Sequence, residues 1–371
     1  MKIGLVCPYD LFSPGGVRQH VISFYQELKK AGHQVKVIGP ATRRTAPKDF
    51  LLLGRSLPIP SGTGSWGRLS LCFENQDIKK ILRREKFDLL HFHEPLVPFL
   101  SWQLLFASRA INVATFCSAW ENETSLMGNI EGLMKPFSEV FEKKLSGLMA
   151  ISQTAKNCWQ KFFQKKITVI PTGIDLERFN LRIEPLKKYQ DGKLNVLFIG
   201  RLESRKGGIY LMRAWEKMDN QNRRLIVVGS GPRKVEIELY AAVRQLTNVE
   251  LVGRVKDDDL VRYYASADIC CFPSIGSESF GIVLLEAMAM AKPIVGFANP
   301  GYQEVLADYP CQDCLAPVKN INALAKSLNR LLESQSLREK LGCWGERQAQ
   351  KYAWSKISQE TLAYYRDLSA A

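Results

Sequence analysis

The sequence predicts an α/β protein built from two Rossmann-like, doubly wound domains that face each other across a ligand cleft. Short apolar runs alternate with longer amphipathic stretches from the first residues onward, the pattern of a parallel sheet wrapped by helices. The alternation stalls over residues 172–193, where Pro, Gly and charge replace periodicity, and then starts again. At 371 residues the chain also exceeds the usual size of one domain.

In the first half, apolar runs at 2–7, 34–38, 89–92, 113–116, 147–151 and 167–170 read as strands. Amphipathic stretches at 17–31 and 76–85, and further sequence through the 130s, read as helices. After the linker come strands at 195–199, 224–228, 249–252, 269–272 and 293–296, with helices at 208–215 and 235–246. The tail, 324–368, reads as charged helices broken near Tyr352 and Trp354. This gives a first domain over 1–171, a linker over 172–193 and a second domain over 194–352. Residues 353–371 are expected to pack back on the first domain.

Composition narrows the class. An apolar fraction of 46% suits a full core. No stretch has the roughly 18 to 20 apolar residues of a membrane span, and the opening MKIGLVCPYD reads as a buried strand rather than an export signal. The nine cysteines form no framework, so a reduced, cytoplasmic setting is expected, with Cys311 and Cys314 structural rather than metal-binding or redox-active. The net charge of +14 is uneven: residues 1–86 hold fifteen Lys and Arg against six Asp and Glu. Anionic lipid, nucleic acid and plain solubility are the three readings of that surplus. Nucleic acid loses support because no basic stretch is interleaved with aromatics.

Three loops sit where a doubly wound sheet binds ligands, beyond the carboxyl ends of strands. Glu278 lies in a Gly/Ser-rich loop after the strand at 269–272, and Ser279, Phe280, Gly281 and Ile282 lead into a helix. A helix start offers unpaired N–H donors and partial positive charge, which suits a phosphate. Glu286 lies two turns on, among apolar neighbours, where a carboxylate needs hydroxyls to satisfy it. The second loop carries Arg201 and Lys206, a forked and a compact cation fit to clamp a diphosphate. The third carries Gly15 and Gly16, whose backbone can approach a phosphate or sugar closely. Neither a G-x-G-x-x-G nor a Walker loop is present there, so nicotinamide and ATP cradles lack support.

These segments, in this order, resemble the retaining glycosyltransferases of family 4, with Glu278 and Glu286 matching their E-x7-E motif. The resemblance spans the whole chain and implies the GT-B fold. The stretches CPYDLFSPGGVRQHV, HFHEP and SESFGIVL are most like those of phosphatidyl-myo-inositol mannosyltransferases. It implies a UDP- or GDP-sugar donor, with a divalent cation as an optional companion of the diphosphate and no metal held by the protein. Glu278 would hold donor-sugar hydroxyls and Glu286 the ribose. Arg201 and Lys206 would neutralise the leaving group, helped by backbone donors at 280–282, while Arg254 and Val255 would flank the base. Tyr9, Arg68 and His93 would face a lipid or glycolipid acceptor, with structural roles at a strand end the other reading of His91 and His93. A soluble acceptor, an epimerase and a binding protein with weakened chemistry are the alternatives.

One position departs from the pattern. The family's Thr-Phe-His near donor and acceptor reads Thr115-Phe116-Cys117, and Ser118 to Glu121 also differ. Cysteine lacks the reach and the near-neutral titration of histidine. The donor half therefore reads as intact and the acceptor half as rewritten. Finally, Ile78, Ile81 and Leu82 share a helical face ringed by Lys79, Lys80, Arg83 and Arg84. That composition predicts an interfacial helix, and a protein peripheral on the inner face of an anionic membrane.

Overall fold

The computed structural model describes residues 1–371 except 14, 44, 61–65, 72–74, 121–130, 219–221 and 371. At 55, 57–60, 66–71, 75–76 and 131–136 it describes the backbone alone. The chain divides into two compact units, Met1–Gly173 with Trp354–Ala371, and Ile174–Ala353. Residues 174–193, read as linker, lie in the second unit: Ile174 bridges to Ala353, and Tyr189 is buried there. Its Pro and charge content hid a packed segment whose one short helix is a 3-10 turn at Lys187–Tyr189.

The first unit holds an eight-stranded sheet ordered β4-β3-β2-β1-β5-β6-β7-β8. Its strands are β1 (Lys2–Val6), β2 (Gln34–Ala41), β3 (Phe50–Pro60), β4 (Trp66–Leu71), β5 (Leu89–His93), β6 (Ile111–Phe116), β7 (Gly147–Ala150) and β8 (Ile167–Val169). All pairings are parallel except β3 with β4. The helices are α1 (Gly16–Lys30), α2 (Asn75–Glu85), α3 (Leu100–Ala107), α4 (Glu131–Glu142) and α5 (Gln153–Trp159). Strands β5 and β7 are buried at every residue, as expected of parallel strands covered on both faces.

The second unit holds a parallel six-stranded sheet ordered β11-β10-β9-β12-β13-β14. It comprises β9 (Leu194–Ile199), β10 (Arg223–Val228), β11 (Val249–Gly253), β12 (Ile269–Phe272), β13 (Ile294–Phe297) and β14 (Leu315–Ala316). Around it lie α6 (Gly208–Glu216), α7 (Lys234–Val243), α8 (Asp257–Ser266), α9 (Ile282–Ala289), α10 (Pro300–Val305), α11 (Ile321–Glu333) and α12 (Gln335–Ala349).

The last helix, α13 (Trp354–Ala370), returns to the first unit. Trp354, Ile357 and Tyr365 on it join the core formed by Phe24, Leu28, Leu89 and Met149. The Tyr365 hydroxyl pairs with His91 Nδ1 at 2.6 Å, fixing the helix by a buried polar contact. Cys311 and Cys314 are buried and joined by a disulfide, with Cα atoms 5.4 Å apart. The bond was not anticipated for a chain read as reduced.

Candidate active site

Each sheet has one point where the strand order reverses direction, and the chemically loaded loops collect there. In the second unit that point lies between β9 and β12. The loop after β9 carries Arg201, Glu203, Arg205 and Lys206, and the loop after β12 carries Ser274 and Glu278. The two are stitched by a backbone bond from Ile275 N to Arg205 O at 2.8 Å. Gly207 permits the approach: its φ is 72°, and a Cβ there would stand 1.8 Å from the Pro273 carbonyl oxygen.

Glu278 is 7% exposed and is the hub of this cluster. Its Oε1 accepts from Lys206 Nζ at 2.5 Å, from an Arg205 guanidinium N–H at 3.0 Å and from Ser274 Oγ at 3.0 Å. Burial would raise the carboxyl, but Lys206 and Arg205 overcome it and hold Glu278 below the usual carboxylate range. Burial in turn lowers the Lys206 ammonium, opposed by Glu278. Ser274 is fixed from behind, donated to by Tyr302 OH at 3.3 Å, while Asn299 caps α10 through Tyr302 N at 3.0 Å. Arg201 pairs with the buried Glu203 at 2.7 Å, and Glu203 also lies 3.3 Å from Arg205.

Ser279 to Gly281 then turn the chain into α9. Gly281 has φ 95°, and no side chain caps the helix start, so its first N–H groups remain outside any cap. Phe280 is buried against Tyr352, and Ile282 opens the helix half-buried. Glu286 is half-buried rather than enclosed as its apolar neighbours suggested. Its Oε2 accepts from Tyr264 OH at 2.7 Å. Burial of the carboxyl pushes Glu286 up to about 7, against the pull of the Tyr264 bond and the Arg178 charge. Arg254 is exposed and Val255 half-buried, just past β11.

In the first unit the reversal falls between β1 and β5. Tyr9 and Asp10 follow β1, Glu94 follows β5 and Cys117 follows β6. Glu94 is 3% exposed, holds φ 51°, and accepts the Cys117 N–H at 2.7 Å. Thus a carboxylate absent from the sequence-based set of site residues pins the rewritten position. Burial, with Glu94 and Cys7 adding, pushes the Cys117 thiol well up, so it stays protonated. Burial, then Glu94, likewise raises the half-buried Tyr9 phenol. Gly15 and Gly16 are exposed at the start of α1, with open space where their Cβ atoms would stand.

Two expectations need correction. His93 was expected at an acceptor, but it is fully buried, with its ring 4.2 Å from His91 and 5.1 Å from His20. Burial pulls all three rings down, His20 to about 4, so they form a neutral core cluster rather than a surface contact. The helix at 76–85 was expected to insert its apolar face in lipid. Instead Ile78 is 1% exposed and α2 packs that face on α3, with Ile81 and Leu82 half-buried. Lys79, Lys80, Arg83 and Arg84 face outward, together with Asp77. The Arg68 side chain and Glu121 lie outside the described residues; the Arg68 backbone lies in β4. Among the described residues no cluster of His, Cys, Asp or Glu could hold a metal ion, and no helix is long and apolar enough to cross a membrane.

Two Rossmann-like units, each with its chemically loaded loops at a switch point, are the GT-B fold, and the molecule is a glycosyltransferase of that fold. The chain belongs to glycosyltransferase family 4: residues 14–178 match the model "Glycosyltransferase Family 4" and residues 183–348 the model "Glycosyl transferases group 1". It is 33% identical to the phosphatidyl-myo-inositol mannosyltransferase of Mycolicibacterium smegmatis, over 100% of this chain and 95% of that protein. It is 32% identical to the Mycobacterium tuberculosis protein of that name, over 100% of this chain and 98% of that protein. Among solved structures, the fold is similar to sucrose-phosphate synthase from Thermosynechococcus elongatus, with a TM-score of 0.80, 22% identity and coverage of 100% and 99%. It is also similar to the Anabaena protein HepE in complex with UDP and glucose, with a TM-score of 0.78, 17% identity and 99% coverage of both chains.

Proposed function

We propose that this glycosyltransferase moves a hexose, of the mannose type, from a UDP- or GDP-sugar to a phosphatidylinositol-type lipid, with retention at the anomeric carbon. The observation that carries the donor half is the Arg205–Lys206–Glu278 cluster between β9 and β12, beside the uncapped start of α9. In this reading the diphosphate lies against Arg201, Lys206 and the N–H groups at 280–282. Glu278, kept ionised by its cations, accepts from sugar hydroxyls, and Glu286 accepts from the ribose. Fixed positive charge lowers the barrier because the negative charge of the departing diphosphate develops beside it.

The C1–O bond to the diphosphate breaks as a bond to the acceptor hydroxyl oxygen forms on the same face. The hydroxyl proton passes to the departing phosphate oxygen. No residue at position 117 is then needed as a base, which suits a thiol held protonated by burial. The phosphatidylinositol acceptor is supported by full-length likeness to proteins of that name. The basic first 86 residues support work at the inner face of an anionic membrane.

The direct test incubates the purified chain with GDP-mannose or UDP-glucose and detergent-dispersed phosphatidylinositol, with mass spectrometry of the lipid. A hexose added to the lipid, with the α-anomer retained, is expected from one donor. Absence of transfer from both donors would overturn the reading.

A further inference from the structure

We propose that Tyr302 is a positioning residue for sugar transfer, acting through Ser274 to set which carboxylate oxygen Glu278 offers the donor sugar. The inference rests on the donor-site reading above and adds to it a side chain too buried to touch sugar or phosphate.

The segment Asn299 to Tyr302 follows β13 and opens α10. Asparagine followed by proline makes a helix start. Asn299 Oδ1 accepts the Tyr302 N–H at 3.0 Å, and Pro300 sits where a helix needs no donor. The same Asn299 side chain donates from Nδ2 to the Ser274 carbonyl at 3.1 Å, which pins the helix start to the chain just past β12. Gly301 allows a closer approach still, since a Cβ there would stand 2.3 Å from the Glu278 carbonyl oxygen. Held by this bracket, the Tyr302 ring lies against Gly281 and its hydroxyl 3.3 Å from Ser274 Oγ. Asn299, Ser274 and Tyr302 are each at most 1% exposed.

Chemistry fixes the direction of each proton. Lys206 and Arg205 keep Glu278 ionised against its burial, and an ionised carboxylate only accepts. The single Ser274 proton therefore goes to Glu278 Oε1, at 3.0 Å. Toward Tyr302, Ser274 Oγ is then an acceptor. The phenol can fill that place because burial, and after it Glu278, push its titration up and keep it protonated. The relay runs one way, from Tyr302 to Ser274 to Glu278.

Lys206, Arg205 and Ser274 all donate to Oε1, and among the described residues no donor meets Oε2. Oε2 is thus the oxygen left for a sugar hydroxyl. Lys206 and Arg205 reach Glu278 on long, rotatable side chains, and in the reading above Lys206 also faces the diphosphate. Ser274 has one side-chain torsion and no other acceptor, so it keeps Oε1 occupied when the nucleotide-sugar binds. Tyr302 fixes that torsion. A carboxylate turned away from the sugar costs rate rather than nucleotide affinity.

The test is a double-mutant cycle on the full chain, with kinetics on the preferred of GDP-mannose and UDP-glucose. Calorimetric titration of the matching nucleoside diphosphate runs beside it. Tyr302→Phe keeps the ring against Gly281 and should lower kcat about fivefold, with nucleoside diphosphate affinity unchanged. Ser274→Ala should lower kcat about tenfold, and adding Tyr302→Phe to it should cost nothing further, because the hydroxyl acts only through Ser274. Losses that multiply in the double variant, an unchanged kcat in Tyr302→Phe, or a nucleoside diphosphate affinity that falls with kcat would each overturn the proposal and leave the donor site standing. Wild type that binds neither nucleotide would sink the donor-site reading, and the role of Tyr302 with it.

Discussion

At the scale of single residues, the site turns on how burial and charge set the protonation of a few groups. Lys206 pairs with Glu278, and in the proposed reading it also faces the departing diphosphate. Lys206→Ala should lower kcat about 100-fold, or about 2.7 kcal/mol of barrier, and steady-state kinetics with the preferred donor would show it. A loss below threefold would remove Lys206 from the chemistry. Glu286, raised to about 7, gives a signed pH effect. If ribose hydroxyls bind the ionised carboxyl better, nucleotide-sugar binding releases a proton from Glu286, and affinity weakens as pH falls below 7. Titration calorimetry of the nucleotide-sugar at pH 6 and pH 8 checks this, because its diphosphate does not titrate in that range. Glu286→Gln should flatten the profile; an equally steep profile in that variant would contradict the assignment.

The elements explain why the fold was more legible than the site's wiring. Buried parallel strands such as β9 and β12 announce themselves as apolar runs, and the loops after them carry Arg201, Lys206 and Glu278 in plain view. The hairpin β3–β4 was missed because an edge pair with Gly54, Pro58 and Pro60 lacks a clean apolar run. Helix α8 was missed because Asp257, Asp258 and Asp259 open it with charge, favourable at a helix start but silent in a hydrophobic scan. The ion pairs of Glu278 with Arg205 and the grip of Glu94 on the 117 backbone depend on loops meeting across strands, which spacing cannot encode. The same holds for the histidine cluster that anchors α13. Tyr365→Phe removes the hydrogen bond to His91 and should cost about 1–2 kcal/mol in denaturant unfolding. His20, pulled down by burial from 6.5 to about 4, contributes stability that is complete above about pH 6.5 and is lost as pH falls toward 4. Its share of that loss is about 2 kcal/mol by pH 5. An unfolding free energy unchanged from pH 7 to pH 5 would contradict the neutral cluster. Gly281→Ala probes another element: a side chain at φ 95° also meets Tyr302 at 2.5 Å, so the start of α9 must shift. Donor affinity should fall at least tenfold while β12 and the core of the unit stay folded.

Over the whole molecule, both sheets place their chemistry at the point where strand order reverses, and the two units differ in what they place there. The second unit presents Arg201, Arg205 and Lys206 around two buried carboxylates, Glu203 and Glu278, a constellation fit for a nucleotide diphosphate and a sugar. The first presents Tyr9, Glu94 and an uncharged Cys117, with basic residues concentrated in its opening 86 positions. Thermal unfolding in the presence of UDP or GDP tests the central claim, that the second unit binds the donor at this cluster, most directly. Ligand that binds the folded state raises the melting temperature by mass action. One of the two nucleotides, at saturating concentration, should raise it by several degrees in wild type and leave Arg201→Ala/Lys206→Ala unmoved. No shift with either nucleotide, or a full shift in the double variant, would contradict the account.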